Sequence, residues 1–362
     1  MNLTHLSEYR TKDVCQKLSK MIHQISTHEI RLMEVCGTHT MAISRNGIRK
    51  LVPETVTLLS GPGCPVCVTS QQDIDQFIAL AKYPDVILTT FGDLMRVPGS
   101  ESSLQLERAN GADIRIVYSS TDCLGIAENN PDKQVVFLGV GFETTAPTIA
   151  AAVFAAAKRN IENFSVMSAH KLVPPALKAL MENEAVNIDG FICPGHVSVM
   201  IGADAYVPIV ANYHIPCVIA GFEPADILHA IYLIIEQIEN GYARVDIAYK
   251  RAVNTHGNPK AMDVLLQVFE PCDATWRGIG VIPDSGLRFR DTFKQFDATS
   301  GFNLAVPDVP EPAGCVCGEI LTGLKSPHQC TLFGETCTPE NPIGPCMVSS
   351  EGTCAAYYKY QL

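Results

Sequence analysis

One tryptophan stands among the 362 residues, and charged side chains make up only 18% of them. Lys and Arg, 27 together, are outnumbered by 38 Asp and Glu, leaving a formal charge of −11. With no basic surplus to meet a phosphate backbone, the charge argues against a nucleic-acid partner, though it leaves room for a small local basic pocket. Long apolar runs are missing as well. The longest, "TIAAAVFAAAK" and "ILHAIYLIIEQI", are too short or too interrupted to cross a bilayer, so no membrane span is expected. The opening stretch "MNLTHLSEYRTKDVCQKL" scatters charges where a secretory signal carries an apolar run. These absences point to a cytoplasmic protein. Cysteine, in contrast, is plentiful: 14 thiols in a reducing compartment imply metal or redox work rather than a disulfide scaffold.

The 47% apolar content suits packed globular domains, and the length accommodates two of them with a small appendage. Residues 1–30 read as a leading helical segment, with Leu6, Tyr9, Val14, Leu18 and Ile22 at helical spacing. Short apolar runs then alternate with helical patterns. "IRLMEVC", "VTLLSG", "DVILTTFG" and "DIRIVYS" form one series, and "QVVFLGVG", "FSVMSAH", "GFICPG", "IPCVIAGF" and "RGIGVIP" a second. Runs of this kind separated by helices indicate parallel sheets covered on both faces. The expectation is an α/β fold of two similar Rossmann-like domains, residues 31–130 and 131–300. "RLMEVCGTHTMAI" echoes "VVFLGVGFETTAPTI", and "VTLLSGPGCPVC" echoes "IDGFICPGHVSV".

Past the proline-rich "VPDVPEPAGC", residues 301–362 form a different unit. Six of the 14 cysteines (Cys315, Cys317, Cys330, Cys337, Cys346 and Cys354) fall here, in a segment with little apolar periodicity. Such a segment buries too little surface to hold itself together, so a metal or cluster staple is implied. The cysteine intervals are wide and uneven and lack the tight knuckles of structural zinc, which favours a [4Fe-4S] cluster. Spacing alone does not choose four ligands from six.

Three further stretches carry chemistry. "EVCGTHT" puts Cys36 at a strand end with His39 in the turn entering a helix, where parallel sheets gather ligands. A helix terminus there lowers a thiol's pKa and makes it a better ligand or nucleophile, although a lone cysteine after a strand also serves simply as packing. "GPGCPVC" mounts Cys64 and Cys67 in a rigid frame ahead of a helix beginning near Ser70, as a redox pair, a metal half-site or a structural turn. "GVGFETTAPT" lacks the lysine of a phosphate-cradling loop and reads as a tight turn, and "CPGHVSVMIG" offers Cys193 and His196 at another strand end.

Together "EVCGTHT", "GPGCPVC", "TFGDLMRVPG", "GFETTAPT", "PGHVSVMIG" and "CMVSSEGTCAAYY" closely resemble the HypD family of [NiFe]-hydrogenase maturation factors, from about residue 30 to the C-terminus. The resemblance implies a scaffold, shared with the small partner HypC, on which the Fe(CN)2CO moiety is assembled. By the family motif Cys36 holds the iron, His39 stands beside it, and Cys64 and Cys67 face it as ligands or as a redox couple. The tail pattern "CGE…PHQC…FGETC…EGTC" selects Cys317, Cys330, Cys337 and Cys354 as [4Fe-4S] ligands and leaves out Cys315 and Cys346. HypE is implied as the cyanide donor, and a surface near "GVGFETTAPTIAAAV" as its docking place. Soft, low-spin iron suits thiolates. A cluster delivers electrons singly and a dithiol in pairs, so an electron relay from cluster to Cys64/Cys67 to the iron at Cys36 is expected, which requires the three to converge. The competing reading is an iron–sulfur disulfide reductase resembling ferredoxin:thioredoxin reductase; a third is a structural adaptor whose metals only staple the fold.

Overall fold

The computed structural model describes residues 12–307 and 309–361. Of the expected N-terminal helix, Val14, Leu18 and Ile22 fall on the helix Lys12–Ile25, which buries Cys15, Leu18 and Ile22. Leu6 and Tyr9 lie outside the described residues.

The strands are β1 (Ile30–Glu34), β2 (Val56–Ser60), β3 (Val86–Thr90), β4 (Ile114–Ile116), β5 (Gln134–Gly139), β6 (Phe164–Ser168), β7 (Gly190–Pro194), β8 (Cys217–Ala220), β9 (Val245–Ile247), β10 (Phe269–Trp276) and β11 (Gly280–Phe289). Two parallel sheets result, ordered β2-β1-β7-β8-β9 and β4-β3-β5-β6, with β10 and β11 as a separate antiparallel pair. Numbered within each sheet, the orders are 2-1-3-4-5 and 2-1-3-4. Both are therefore doubly wound in the same sense, with their strand order reversing beside β1 and beside β3. Two Rossmann-like units are present, as the alternating runs predict.

Three details differ from the sequence reading. Sheet membership does not follow a contiguous division at residue 130, because β4 before it and β5 after it share one sheet while β7–β9 return to the sheet of β1. The sequence echoes pair non-equivalent strands: β1 opens its sheet and corresponds by position to β3, not to β5. "RGIGVIP" forms no parallel strand; it turns at Gly278 (φ 68°) into β11, which runs antiparallel to β10. β9, short and only half-buried, has too little apolar pattern to be seen in the sequence.

The core is layered. Leu32, Ile192 and Val218 meet Ile227, Ile231 and Ile235 of the helix Pro224–Glu239 outside the first sheet. Val135, Phe137 and Phe164 meet Ile149 and Val153 of the helix Ala146–Arg159 outside the second. Between the sheets Met33, Cys67, Leu88, Leu138, Phe191 and Trp276 form one continuous layer that also takes in Cys317, Leu321 and Cys346 from the tail. Each fully buried Leu, Ile or Phe in such a layer contributes about 1.5–3 kcal/mol. The tail is thus anchored through shared core. Its helices Pro345–Val348 and Thr353–Gln361 pack on Pro65–Val68 and Gly37–Arg45, respectively.

Candidate metal and thiol site

Cys36 sits just past β1, capping the helix Gly37–Arg45 at the point where the first sheet reverses its strand order. Ligand sites of doubly wound sheets open at this place, outside the carboxyl ends of the strands. β1 and β2 are parallel neighbours, so the loop after β2 emerges beside it. The N–H of Gly61 donates to the Glu34 carbonyl at 2.8 Å and the N–H of Gly37 to the Gly63 carbonyl at 2.8 Å. A Cβ on Gly63 would lie 2.1 Å from the Cys36 nitrogen and 2.4 Å from its Cα, so only glycine lets the two backbones approach this closely.

From that contact the chain runs directly into Cys64, which caps the short helix Pro65–Val68. Its Sγ accepts from the Cys67 N–H at 3.2 Å, with Pro65 in the first turn, where a missing N–H costs nothing. Cys64 and Cys67 form a disulfide with Cα atoms 5.2 Å apart, both buried. The next helix, Gln71–Ala81, starts where the sequence predicts, with the Ser70 hydroxyl accepting from the Asp73 N–H at 3.0 Å.

The surroundings of Cys36 reverse one expectation. The N–H groups of Thr38 and His39 do favour a negative sulfur, but burial outweighs them, and the Glu351 and Glu34 carboxylates add repulsion. The thiol is pushed up to about 12, opposite to the lowering that the helix terminus alone predicts. The sulfur is therefore protonated until a cation takes the proton's place.

Glu34 lies fully buried beneath it, accepting from the Cys36 N–H at 3.1 Å and from the Thr40 hydroxyl. Its carboxyl is raised to about 7, chiefly by burial. Glu351 comes from the tail: its Oε1 accepts from the Thr38 hydroxyl at 2.6 Å, and its Cβ is what a side chain on Gly37 would strike.

His39 is wholly buried. Its Nε2 donates to the Gly221 carbonyl at 3.0 Å, which leaves Nδ1 as a lone pair, and Nδ1 has no partner. Burial holds its pKa down to about 4, so the imidazole is neutral at pH 7 and offers one free nitrogen. Phe222 packs against His39 and His196, with ring centroids 4.9 Å and 4.0 Å apart. His196 is exposed, so it lines the site rather than filling core, whereas Cys193 is fully buried.

In the tail, all six cysteines (Cys315, Cys317, Cys330, Cys337, Cys346 and Cys354) line one cavity, with Ile320, Leu332, Phe333 and Met347 as its apolar wall. The Cys317 and Cys346 sulfurs are 2.9 Å apart. Burial raises the thiols of Cys315, to about 12, and Cys354, and the contact with Cys317 raises Cys346. Among the described residues no three His, Cys, Asp or Glu side chains gather closely enough to hold a single ion. The cavity does not separate Cys315 and Cys346 from the four motif cysteines.

Two distances in sequence are thereby closed. Cys36 and the Cys64/Cys67 loop touch through Gly63, and that loop's helix lies on the helix bearing Cys346. Glu34, Glu351 and Phe222 were not singled out by the sequence. A glutamate inside the apolar run "IRLMEVC" was the signal for the first; the other two reach the site only through tertiary packing.

The sequence as a whole is similar to known proteins. The profile of the family described as "HypD: Hydrogenase formation hypA family" matches residues 11–361. A putative hydrogenase expression/formation protein of Methanocaldococcus jannaschii is 44% identical over 352 residues, 97% of each chain. The hydrogenase maturation factors HypD of Escherichia coli (43% over 366 residues, 98% of each chain) and of Cupriavidus necator (44% over 368 residues, 99% of this chain and 97% of that one) are similar to the same extent. With cysteine loops meeting at a sheet's reversal point and relatives alike over nearly their whole length, this chain belongs to the HypD family of hydrogenase maturation factors.

Proposed function

We propose that this chain is the scaffold on which, together with a HypC partner, the Fe(CN)2CO moiety of [NiFe]-hydrogenase is put together. The iron is its cargo, bound through Cys36 and faced by His39, Cys64 and Cys67. The observation that carries this reading is the contact of Gly63 with Cys36, which sets the thiol-pair loop against the candidate iron ligand.

The residues' own chemistry supports it. A thiol at about 12 gives up its proton only as metal arrives, and the Glu351 and Glu34 carboxylates that repel a bare thiolate there would favour a bound cation. The free Nδ1 of neutral His39 accepts a hydrogen bond or a metal, and the burial of both Cys36 and His39 excludes water from a fragment that needs dry surroundings. Phe222 holds His39 and His196 on one wall. A HypE partner would bring cyanide to this opening.

The tail's donor set suits a [4Fe-4S] cluster. A cubane takes one thiolate at each corner, and six thiols line a single cavity with an apolar wall. Cys317, Cys330, Cys337 and Cys354 would hold it. Such a cluster supplies electrons one at a time.

Infrared spectroscopy of the anaerobically purified complex with HypC tests the proposal. Cyanide and carbonyl stretching bands are expected, and Cys36→Ala abolishes them. Their absence from an intact, metal-replete complex favours the second reading, an iron–sulfur disulfide reductase, which the closed Cys64–Cys67 bond supports. Undiminished maturation in a Cys64→Ser, Cys67→Ser double variant would favour a structural adaptor.

A further inference from the structure

Between the thiol pair and the six-cysteine cavity lies Arg277, a residue only 2% exposed. Its backbone N–H donates to the Val68 carbonyl at 2.9 Å and its Nε to the Thr69 carbonyl at 2.8 Å. The residue is thus fastened to the two positions that follow Cys67. Nη1 donates to Gln71 Oε1 at 3.0 Å, and Nη2 is buried with no partner at all. Every group that receives a hydrogen bond from this guanidinium is neutral. On its other side Gly278, at φ 68°, presses on Gly318, where an added Cβ would lie 2.1 Å from the Gly318 Cα, and Gly318 follows Cys317.

A buried guanidinium without a carboxylate is costly, and its removal from water is offset only when something nearby turns negative. Here the groups that gain electrons are sulfurs. Lys171, the other buried cation of this region, is paired with Asp73 at 3.4 Å and does not supply the same charge.

We propose that Arg277 is the counter-charge that favours the reduced form of the Cys64/Cys67 pair and so sets its potential. This rests on the thiol-pair role given above. Reduction by a dithiol breaks the Cys64–Cys67 bond with two electrons. The reductant closes to its own cyclic disulfide, and its two hydrogens end on the two cysteine sulfurs or in solvent. A fixed positive charge two residues beyond Cys67 favours the electron-rich sulfurs over the disulfide, so the pair is more readily reduced with Arg277 than without it.

The test equilibrates the full-length chain in mixtures of reduced and oxidised dithiothreitol, alkylates the free thiols and reads the peptide carrying residues 64 and 67 by mass spectrometry. Arg277→Met, which keeps bulk and loses charge, is expected to need about tenfold more reducing mixtures for half-reduction, a potential about 30 mV lower. Arg277→Lys keeps the midpoint within about twofold. Gln71→Glu, made together with Asp75→Asn because the Gln71 amide nitrogen donates to Asp75 at 3.3 Å, hands Nη1 a carboxylate in place of the neutral acceptor and shifts the midpoint in the same direction as Arg277→Met, with Asp75→Asn alone as its reference, which decides the matter even when loss of the guanidinium unfolds the chain. Midpoints at the wild-type value in both neutralising variants overturn the proposal alone. A wild-type pair that never becomes reduced overturns the thiol-pair role itself.

Discussion

Replacing Gly63 by alanine puts a methyl group into backbone that has no room to yield. The new Cβ meets the Cys36 nitrogen at 2.1 Å, whereas ordinary contacts begin at 3.4 Å, so a separation of about 1.3 Å has to be found. Flexible side chains cannot supply it, because all three nearest atoms (the Cys36 nitrogen, its Cα and the Val35 carbonyl carbon) are main chain. The two strands are also tied by the hydrogen bonds from Gly61 to Glu34 and from Gly37 to Gly63, at least one of which must stretch or break. Forcing a methyl into packed structure costs about 1–3 kcal/mol. Gly63→Ala is therefore expected to lower unfolding free energy in urea by that amount and to move Cys64 away from Cys36, with loss of bound iron. Gly125→Ala is the control. Its added Cβ meets nothing within 4 Å, and it lies inside the helix Asp122–Glu128, so it gains about 0.5–1 kcal/mol. A Gly63→Ala protein as stable as wild type, with iron retained, would refute the claim that this contact builds the site.

Other predictions rest on different parts of the molecule. Glu143, in the turn of "GFETTAPT", is buried with Oε1 accepting from the Val173 N–H at 2.9 Å and Oε2 unpartnered, and burial raises it to about 7. The folded chain thus holds a proton that the unfolded chain releases near 4.5. Stability falls as pH rises from there through 7, by about 3 kcal/mol. Glu143→Gln removes that loss, so its stability relative to wild type grows by about 3 kcal/mol between pH 4 and 8 in denaturant titrations; a constant difference contradicts the assignment. In the tail, alanine at Cys317, Cys330, Cys337 or Cys354 is expected to abolish cluster absorbance and bound iron, while Cys315→Ala keeps both. Iron analysis of the anaerobic variants checks this, and an intact cluster in Cys330→Ala would exclude the motif assignment.

Much of the fold was legible because short-range pattern encodes it. The buried runs of β3, β5 and β7 are continuous, as strands covered on both faces must be, and "GPGCPVC" announces its turn through proline and glycine. What the sequence hides is pairing over long distance. Nothing in "GFICP" says that β7 adds to β1 across more than 150 residues while the whole second sheet intervenes. The Cys36 thiol illustrates the same limit within the site. Its helix position is visible in the sequence, but the burial that dominates its proton affinity and the arrival of Glu351 from the tail depend on tertiary packing. Arg277 is similarly silent: within "TWRGIG" it reads as a surface arginine, and only the fold encloses it.

The central claim is that Cys36, Cys64 and Cys67 share one pocket, and the most direct measurement is which disulfides they can make. In a Cys67→Ser variant, mild oxidation followed by non-reducing peptide mapping is predicted to join Cys36 to Cys64, since a disulfide requires Cα atoms within about 4.4–6.8 Å. Cys64 recovered as a free thiol, or joined to any cysteine of the tail instead, would contradict it.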